Sequence, residues 1–349
     1  MTTESSPPRA PRPVKIDLAL QGGGSHGAFT WGVLDALLQD ESIEFDGISG
    51  TSAGALNAAV LATGLARGGR EAARHALRDF WSDIGTTPSS FGIDPFSAGN
   101  QAMMNNNPAF EMFNAMLRSV SPYQFNPMGI NPLRGLLKRH VDIDALRDGG
   151  PSLFVNATSV TTGQSRVFTR DDLSIDALLA SACLPQLFQA VVIDDEPYWD
   201  GGYSGNPALW PLIYNTPSLD VLLVRINPLV RLGTPTNAMD ILDRVNEITF
   251  NASLVGEIRA IGFVTRLLAE QRLDARSYKA LRLHMVGDDS ALSQFGAASK
   301  MNNDKTFLEK LHGLGRHAAL QWLKAHRADL GRRSTVDIEA SFLTPRHPV

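Results

Sequence analysis

Hydrophobic positions repeat with two different periods along the first 65 residues, and these periods predict strands and helices in turn. Every second residue is aliphatic between 14 and 20, which is the period of a strand, whereas residues 29–38 carry apolar side chains at helical spacing. The same order repeats in a short strand at 45–49 and an alanine-rich helix that ends near residue 65. This alternation predicts an α/β fold, a three-layer sandwich with a mainly parallel central sheet flanked by helices.

The rest of the pattern predicts a single domain with an insertion and a helical end. Four prolines make residues 1–13 a predicted disordered tail, which leaves 14–349 as the domain. Residues 85–132, rich in proline, asparagine and methionine, are expected to form a cap or insertion over the core, and 231–349 to be largely helical. The other predicted elements are a hairpin of 153–160 with 166–170, buried strands at 219–226 and 280–286, long amphipathic helices within 239–273, and a last helix at 305–325.

Charge and cysteine content exclude several classes of protein. The net charge is -4, so no overall basic field favours binding to nucleic acid. The single cysteine, Cys183, has no partner for an internal disulfide, and the first residues contain no apolar stretch typical of a signal peptide, so a cytoplasmic protein is expected. The most apolar segment, 55–66, is well short of the roughly 20 residues that span a bilayer, so any membrane contact is expected to be peripheral.

A glycine-rich loop follows the first predicted strand and admits two interpretations. Its glycines at 22, 24 and 27 match G-x-G-x-x-G, which favours a dinucleotide-binding oxidoreductase if Glu44 or Asp46 binds the ribose. Three consecutive glycines at a helix N-terminus also suit a loop whose backbone N–H groups point together at one negatively charged oxygen. The donors of this predicted oxyanion hole are Gly22, Gly23 and Gly24.

Two segments match the nucleophile-elbow pattern G-x-S-x-G, one around Ser25 and one around Ser52. Ser52 stands between a predicted strand and a helix of small residues, where the elbow can pack closely and still expose the hydroxyl. Ser25 follows glycines that are better suited to donating N–H groups. We therefore predict Ser52 as the nucleophile, with Gly50 and Gly54 supporting the elbow.

A serine nucleophile needs a base, and an aspartate is the better candidate here. An α/β-hydrolase would use a late histidine, but no histidine lies in an obvious catalytic loop and three fall in predicted helices. Asp200 follows a short strand and precedes Gly201 and Gly202, which would allow a close approach to Ser52. Burial would raise the pKa of this carboxyl toward the working range of a base. The late histidines are His284, His312, His317, His326 and His347.

Taken together, these segments resemble the patatin-like phospholipase family. The resemblance rests on Gly22–Gly27, Gly50–Gly54 and Asp200–Gly202 in that order, the last preceded by Ala180-Ser181-Ala182-Cys183-Leu184-Pro185. It implies a Ser–Asp dyad hydrolase without a catalytic histidine, in which Ser52 is the nucleophile, Asp200 the base and the glycine loop the oxyanion hole. His26 stands where this family often has arginine or lysine.

The expected function is therefore hydrolysis of carboxylic esters of lipids, with no metal or cofactor. The same dyad would also serve an intracellular depolymerase of a polyester such as polyhydroxybutyrate. Alternatives of other classes are the dinucleotide-binding oxidoreductase and a non-catalytic lipid-binding protein. The expected partner is a lipid or polyester ester, met at a peripheral membrane or granule surface. Residues 92–128 are expected to form either an apolar flap on that approach or an ordinary helix packed on the core.

Overall fold

A computed structural model describes residues 13–86, 120–231 and 233–343, which form a mixed sheet of eight strands between layers of helices. Pairing between strands follows the path β5-β6-β3-β2-β1-β7-β8, in which β6 and β2 share one edge of β3 and β4 pairs with its other edge. Neighbours from β3 through β2, β1 and β7 to β8 are parallel, whereas β4, β5 and β6 run antiparallel to the strands they pair with. The strands are β1 (Val14–Leu20), β2 (Ile43–Thr51), β3 (Ser152–Ser159), β4 (Ser165–Phe168), β5 (Val191–Ile193), β6 (Glu196–Asp200), β7 (Asp220–Val224) and β8 (Arg282–Val286).

Helices occupy most of the connections. The α-helices are α1 (Gly27–Leu37), α2 (Ala53–Thr86), α3 (Pro122–Phe125), α4 (Leu133–His140), α5 (Ile143–Asp148), α6 (Ile175–Ser181), α7 (Trp210–Asn215), α8 (Ala238–Ala269), α9 (Asp289–Leu292) and α10 (Lys305–His326). Short 3-10 turns lie at Gly24–His26, Gly201–Tyr203, Ala297–Met301 and Arg327–Asp329, and a π-helical turn at Glu339–Leu343. Helix α2 bends at Gly68 and Gly69, whose backbone angles are not helical. In the described part of the chain, no helix is long and apolar enough to cross a bilayer.

The sheet is buried on both faces, which confirms the predicted sandwich. On β1, Ile16, Leu18 and Leu20 pack into the larger apolar cluster with α1, α2 and α10. Ala19, between them, points to a second cluster that includes residues of α7 and α8. Covering both faces is what a parallel sheet requires, since its strands are apolar on both sides.

Several predicted strands and helices coincide with observed ones, but some observed elements were not predicted. The strands expected at 14–20, 45–49, 219–226 and 280–286 correspond to β1, β2, β7 and β8. The amphipathic region at 239–273 is one helix, α8. Strand β5 was not predicted, because three residues are too few to show a period. Residues 1–12 of the predicted tail, and 87–119 of the predicted cap and flap, lie outside the described residues, so those predictions stay predictions.

Strand β3 brings two chain segments together at one point. Its residue Asn156 pairs with Thr51 of β2, and the next residue, Ala157, pairs with Asp200 of β6. Both positions also pair with β4, so β2 and β6 must lie on the same side of β3. The register therefore places the end of β2 beside the end of β6.

Helices α1 and α10 cross so closely that each has a glycine, Gly32 and Gly315, where a Cβ would overlap the backbone of the other helix. A Cβ on Gly315 would overlap the backbone carbonyl oxygen of Phe29, a contact that no side-chain movement relieves. Gly313, two residues away on the same helix, has nothing within 4 Å of such a Cβ. Alanine substitutions at Gly315 and, as a control, at Gly313 can therefore test how closely the helices cross.

We expect Gly315→Ala to lower the free energy of unfolding by about 3 kcal/mol or more, because overpacking against backbone forces the helices apart. Gly313→Ala should instead raise it by roughly 0.5–1 kcal/mol, the helix-propensity gain of alanine over glycine. Chemical denaturation of both variants measures the two effects. Equal stabilities for the two variants would contradict the close crossing.

Candidate active site

Ser52 lies on a sharp turn between β2 and α2. Its φ of 54° falls in the left-handed region, which is uncommon for a residue with a side chain and marks local strain. The Ser52 N–H donates to the Ser181 hydroxyl at 2.9 Å, and the residue is 8% exposed. This is the geometry of a nucleophile elbow, and Ser181, at the end of α6, holds it in place. Ser25 lies instead in the 3-10 turn Gly24–His26.

The glycines on either side of Ser52 let this turn pack against the sheet. A Cβ on Gly54 would overlap the carbonyl oxygen of Leu20, at the end of β1. A Cβ on Gly50 would lie 2.7 Å from the backbone nitrogen of Ala55. The turn therefore has no room for a larger residue at either position, as the sequence pattern predicts.

Asp200 is the last residue of β6, and hydrogen bonds fix both its backbone and its side chain. Its N–H donates to the carbonyl of Cys183 at 2.8 Å, and its carbonyl accepts from the Thr158 hydroxyl at 2.8 Å. The carboxyl oxygen Oδ1 accepts from the Gly202 N–H at 2.7 Å. Gly201 leaves room for the carbonyl oxygen of Asn156, which a Cβ there would overlap. Gly202 thus binds the carboxyl group, and Gly201 lets the chain after Asp200 pack against β3.

The Asp200 carboxyl group is buried and incompletely hydrogen-bonded. It is 1% exposed, and its second oxygen, Oδ2, has no hydrogen-bond partner within 3.5 Å among the described residues. Burial raises the pKa of Asp200 to about 6, although the Gly202 N–H, the nearby Ser52 hydroxyl and the positive charge of Lys300 each lower it in part. The structure therefore brings Ser52 and Asp200 together and leaves the carboxyl with a free acceptor oxygen.

The glycine loop faces the same point, and it corrects one predicted role. A Cβ on Gly22 would lie 2.7 Å from the Cβ of Ser52, so loop and elbow are in contact. The Gly22 N–H, however, donates to Asn206 Oδ1 at 2.6 Å, which removes it from the predicted set of oxyanion donors. The N–H groups of Gly23 and Gly24 have no acceptor within the described ranges.

Buried amide side chains, which were not predicted from the sequence, hold the glycine loop on the side away from Ser52. Gln21 Oε1 accepts from the N–H groups of Ile226 and Asn227, both at 2.9 Å. Asn227 Nδ2 and Asn206 Nδ2 both donate to the Gly22 carbonyl, at 2.9 and 3.3 Å. A signal was present, because each asparagine precedes a proline shortly after a motif or a strand.

His26 and Lys300 are two ionisable residues beside the glycine loop, and they differ in charge. His26 is buried with its ring Nε2 2.7 Å from the Ser299 hydroxyl, and burial together with the charge of Lys300 lowers its pKa to about 3. It is therefore neutral and carries no cationic role in the loop. Lys300 comes from the C-terminal part of the chain, where the sequence analysis found nothing catalytic.

The rival catalytic and cofactor interpretations do not fit this geometry. His284 is 3.0 Å from Asp220 Oδ1, at the start of β7 and therefore at the end of the sheet opposite Ser52. Glu44 and Asp46 lie near the start of β2, far from the loop that a ribose-binding acid would have to accompany. In the residues that the structure covers, no three His, Cys, Asp or Glu side chains are grouped to hold a metal ion.

The fold and site define the class of α/β proteins in which a serine occupies a strand-to-helix elbow. A family profile described as patatin-like phospholipase matches residues 18–213, more than half of the chain. The chain belongs to the patatin-like phospholipase family, a family of lipid acyl hydrolases. No curated protein matches it.

Solved structures with similarity to the chain include two bacterial proteins. VipD from Legionella pneumophila has 16% identity and a TM-score of 0.39, with 87% of this chain and 67% of that one covered. The heterodimeric ExoU–SpcU complex from the type III secretion system of Pseudomonas aeruginosa has 18% identity and a TM-score of 0.27, with 95% and 66% covered. The chain thus spans about two thirds of the length of these proteins.

The buried Asp200 carboxylate should cost stability, so we expect Asp200→Asn to raise the melting temperature at pH 8. The pKa of this acid rises from 3.8 to about 6 on folding, so the cost of its ionisation builds up between pH about 4 and about 6 and is complete above pH about 6. The cost is at most about 3 kcal/mol. The gain should shrink at pH 4.5, where the wild-type carboxyl is already protonated in the fold. Thermal unfolding at both pH values measures it.

Asp17, on β1, is the matched control. It is fully buried away from Ser52, and burial raises its pKa to about 7. Asp17→Asn should therefore also raise the melting temperature at pH 8, by at least as much, without the loss of activity expected for Asp200→Asn. A lower melting temperature for Asp200→Asn at pH 8 would show that the carboxylate stabilises the fold instead.

Proposed function

We propose that this protein hydrolyses carboxylic esters of lipids through a dyad of Ser52 and Asp200. The observation that carries the proposal is a strained serine elbow next to a buried carboxyl group with one unpaired oxygen. Strain of this kind and an unsatisfied buried acceptor both cost stability, and such costs are typical of functional sites. Membership of the patatin-like phospholipase family supports the same chemistry.

In the proposed reaction, the Ser52 hydroxyl oxygen attacks the acyl carbonyl carbon while Asp200 accepts the hydroxyl proton. The N–H groups of Gly23 and Gly24 donate to the resulting oxyanion, and Gly22, bound to Asn206, keeps the loop in position. Asp200 then gives the proton to the departing alcohol oxygen, which breaks the ester bond. A water molecule, deprotonated by Asp200, then attacks the acyl carbon, and Asp200 returns the proton to the Ser52 oxygen as the bond between that oxygen and the acyl carbon breaks.

An aspartate can perform both steps because of its raised pKa. A carboxyl group with a pKa of about 6 is mostly ionised near neutral pH, and it is a stronger base than an exposed aspartate. The hydrogen bond from Gly202 leaves Oδ2 as the acceptor. No histidine is then needed as a proton carrier.

Ser52→Ala should abolish ester hydrolysis and labelling by a fluorophosphonate probe, since it removes the attacking oxygen. Ser25→Ala, at the other G-x-S-x-G match, is the control and should keep both. Ser52→Ala with Asp200→Asn should be no less active than either single variant, because residues of one unit are not additive. Acyl release from phospholipid, triglyceride, p-nitrophenyl ester and polyhydroxybutyrate measures activity and separates a lipid hydrolase from a polyester depolymerase.

A labelled Ser52→Ala variant would reverse the assignment of the two serines. An unlabelled wild-type protein that still binds lipid would instead favour the non-catalytic alternative. A cytoplasmic location and peripheral contact with a membrane or granule remain predictions.

The pH dependence should report the ionisation of Asp200. We expect kcat/KM for a short soluble ester to fall with unit slope as pH drops below about 6, because the protonated carboxyl cannot accept the serine proton. Steady-state kinetics between pH 4.5 and 8 measure this acid limb of the pH–rate profile. A fall of kcat/KM that begins only near pH 4 would indicate an exposed base and contradict the role of the buried Asp200.

A further inference from the structure

We infer that Lys300 is a positioning residue of this active site. Its ammonium group, on a half-buried side chain, keeps Asp200 in the charged, proton-accepting form and ties the glycine loop to helix α8. The inference rests on the proposed dyad. It concerns a residue far beyond the three motifs and beyond the 18–213 family match.

Lys300 is held by side chains from two parts of the fold. Its Nζ donates to Asn227 Oδ1 and to Asn246 Oδ1, both at 2.9 Å. The same nitrogen lies 5.4 Å from the centre of the Phe250 ring, a cation–π contact. Asn246 and Phe250 belong to α8, whereas Asn227 follows β7. A flexible side chain is therefore fixed in one place.

One side of this arrangement reaches the glycine loop. Asn227, which accepts from Lys300, donates through Nδ2 to the Gly22 carbonyl at 2.9 Å. The backbone carbonyl of Lys300 also packs directly on Gly24, whose φ of 58° and missing Cβ allow the contact. Lys300 thus touches the loop through both its side chain and its main chain.

Another contact leads to Asp200. The ring of Phe250 packs on Gly202, where a Cβ would overlap it, and the Gly202 N–H is the donor that binds Asp200 Oδ1. Lys300 is also the cation whose charge lowers the pKa of Asp200 against the effect of burial. His26, the one ionisable side chain of the loop, is neutral, so the loop itself supplies no positive charge.

The other charges around Lys300 leave it positive at neutral pH. Burial lowers its pKa to about 8, while Glu247, Asp243 and Asp200 raise it and Arg231 lowers it. Glu247 is itself paired with Arg231 at 2.6 Å and with Arg244 at 3.1 Å, so its charge is already compensated.

Within the described residues, the other titratable groups that interact with Asp200 are Cys183 and Tyr203, and burial raises the pKa of both. Both side chains are therefore neutral where the enzyme is expected to work. In this part of the chain, the charge of Lys300 is then the one that opposes protonation of Asp200.

The test compares Lys300→Met, which removes the charge, with Lys300→Arg, which keeps it. The readout is the rate of Ser52 labelling by a fluorophosphonate probe between pH 4.5 and 8, which requires no knowledge of the natural substrate. Lys305→Met, an exposed lysine five residues away, is the matched control.

Without the cation, the acid limb of the labelling rate in Lys300→Met should lie roughly half a pH unit or more above that of the wild type. This is less than the shift of roughly 1–3 pH units that a directly paired charge produces. Labelling at pH 5 should then be about threefold slower or worse, while Lys300→Arg restores the limb and Lys305→Met leaves it unchanged. A purely structural role would lower the rate equally at every pH. If Lys300→Met folds and its acid limb lies at the same pH as in the wild type, while Ser52 of the wild type is labelled, the inference about Lys300 is wrong and the proposed dyad still stands.

A second measurement needs no Lys300 variant and applies if Lys300→Met fails to fold. The ¹⁵Nζ resonance of Lys300 should titrate near pH 8 in the wild type and at lower pH in Asp200→Asn, since coupling between two charges is reciprocal. The same titration in both proteins would overturn the inference. Absence of Ser52 labelling in the wild type would overturn it together with the proposed dyad.

Discussion

The pairing of β3 with two other strands on one side is the constraint on which the site depends. Strand β2 pairs with β3 as far as Asn156, and β6 pairs with β3 from Ala157 onward. Ser52, which follows β2, and Asp200, which ends β6, are therefore neighbours. Each segment is then fixed from a different element, Ser52 by Ser181 and Asp200 by Thr158. Because hydrogen bonds of the sheet set the spacing, the two side chains meet without support from flexible loops.

Burial of Asp200 makes it a stronger base and at the same time a source of instability. Asp17 has the same cost away from the site: it is also buried with a raised pKa, the Thr216 hydroxyl donates to one of its oxygens at 2.5 Å, and the other oxygen has no partner among the described residues. Asp200 likewise has a backbone donor on one oxygen and none on the other, but the Ser52 hydroxyl lies beside it. The neighbouring serine, and not the unpaired oxygen alone, is what is consistent with a role in proton transfer, and activity and stability often oppose each other at such sites.

Local sequence patterns predicted the strands, the elbow and the glycines after Asp200, because each of these depends on residues within a few positions. Contacts between distant segments could not be predicted in this way. Gln21 and Asn227 are 206 positions apart, and the donation of the Gly22 N–H to Asn206 appears only in the fold. Lys300 was missed for the same reason: a lone lysine in a polar segment gives no sign that its ammonium group will be held between Asn227 and Asn246.

The position of β7 shows that the part of the chain that carries the motifs is shorter than the part that must fold together. The family match ends at residue 213, yet β1, which leads into the glycine loop, is bonded on one side by β7, from residues 220–224. A fragment cut at the end of the match would expose the N–H and C=O groups of a central, apolar strand. Such an edge is a template for intermolecular pairing, so the fragment would be prone to aggregate even with every motif present.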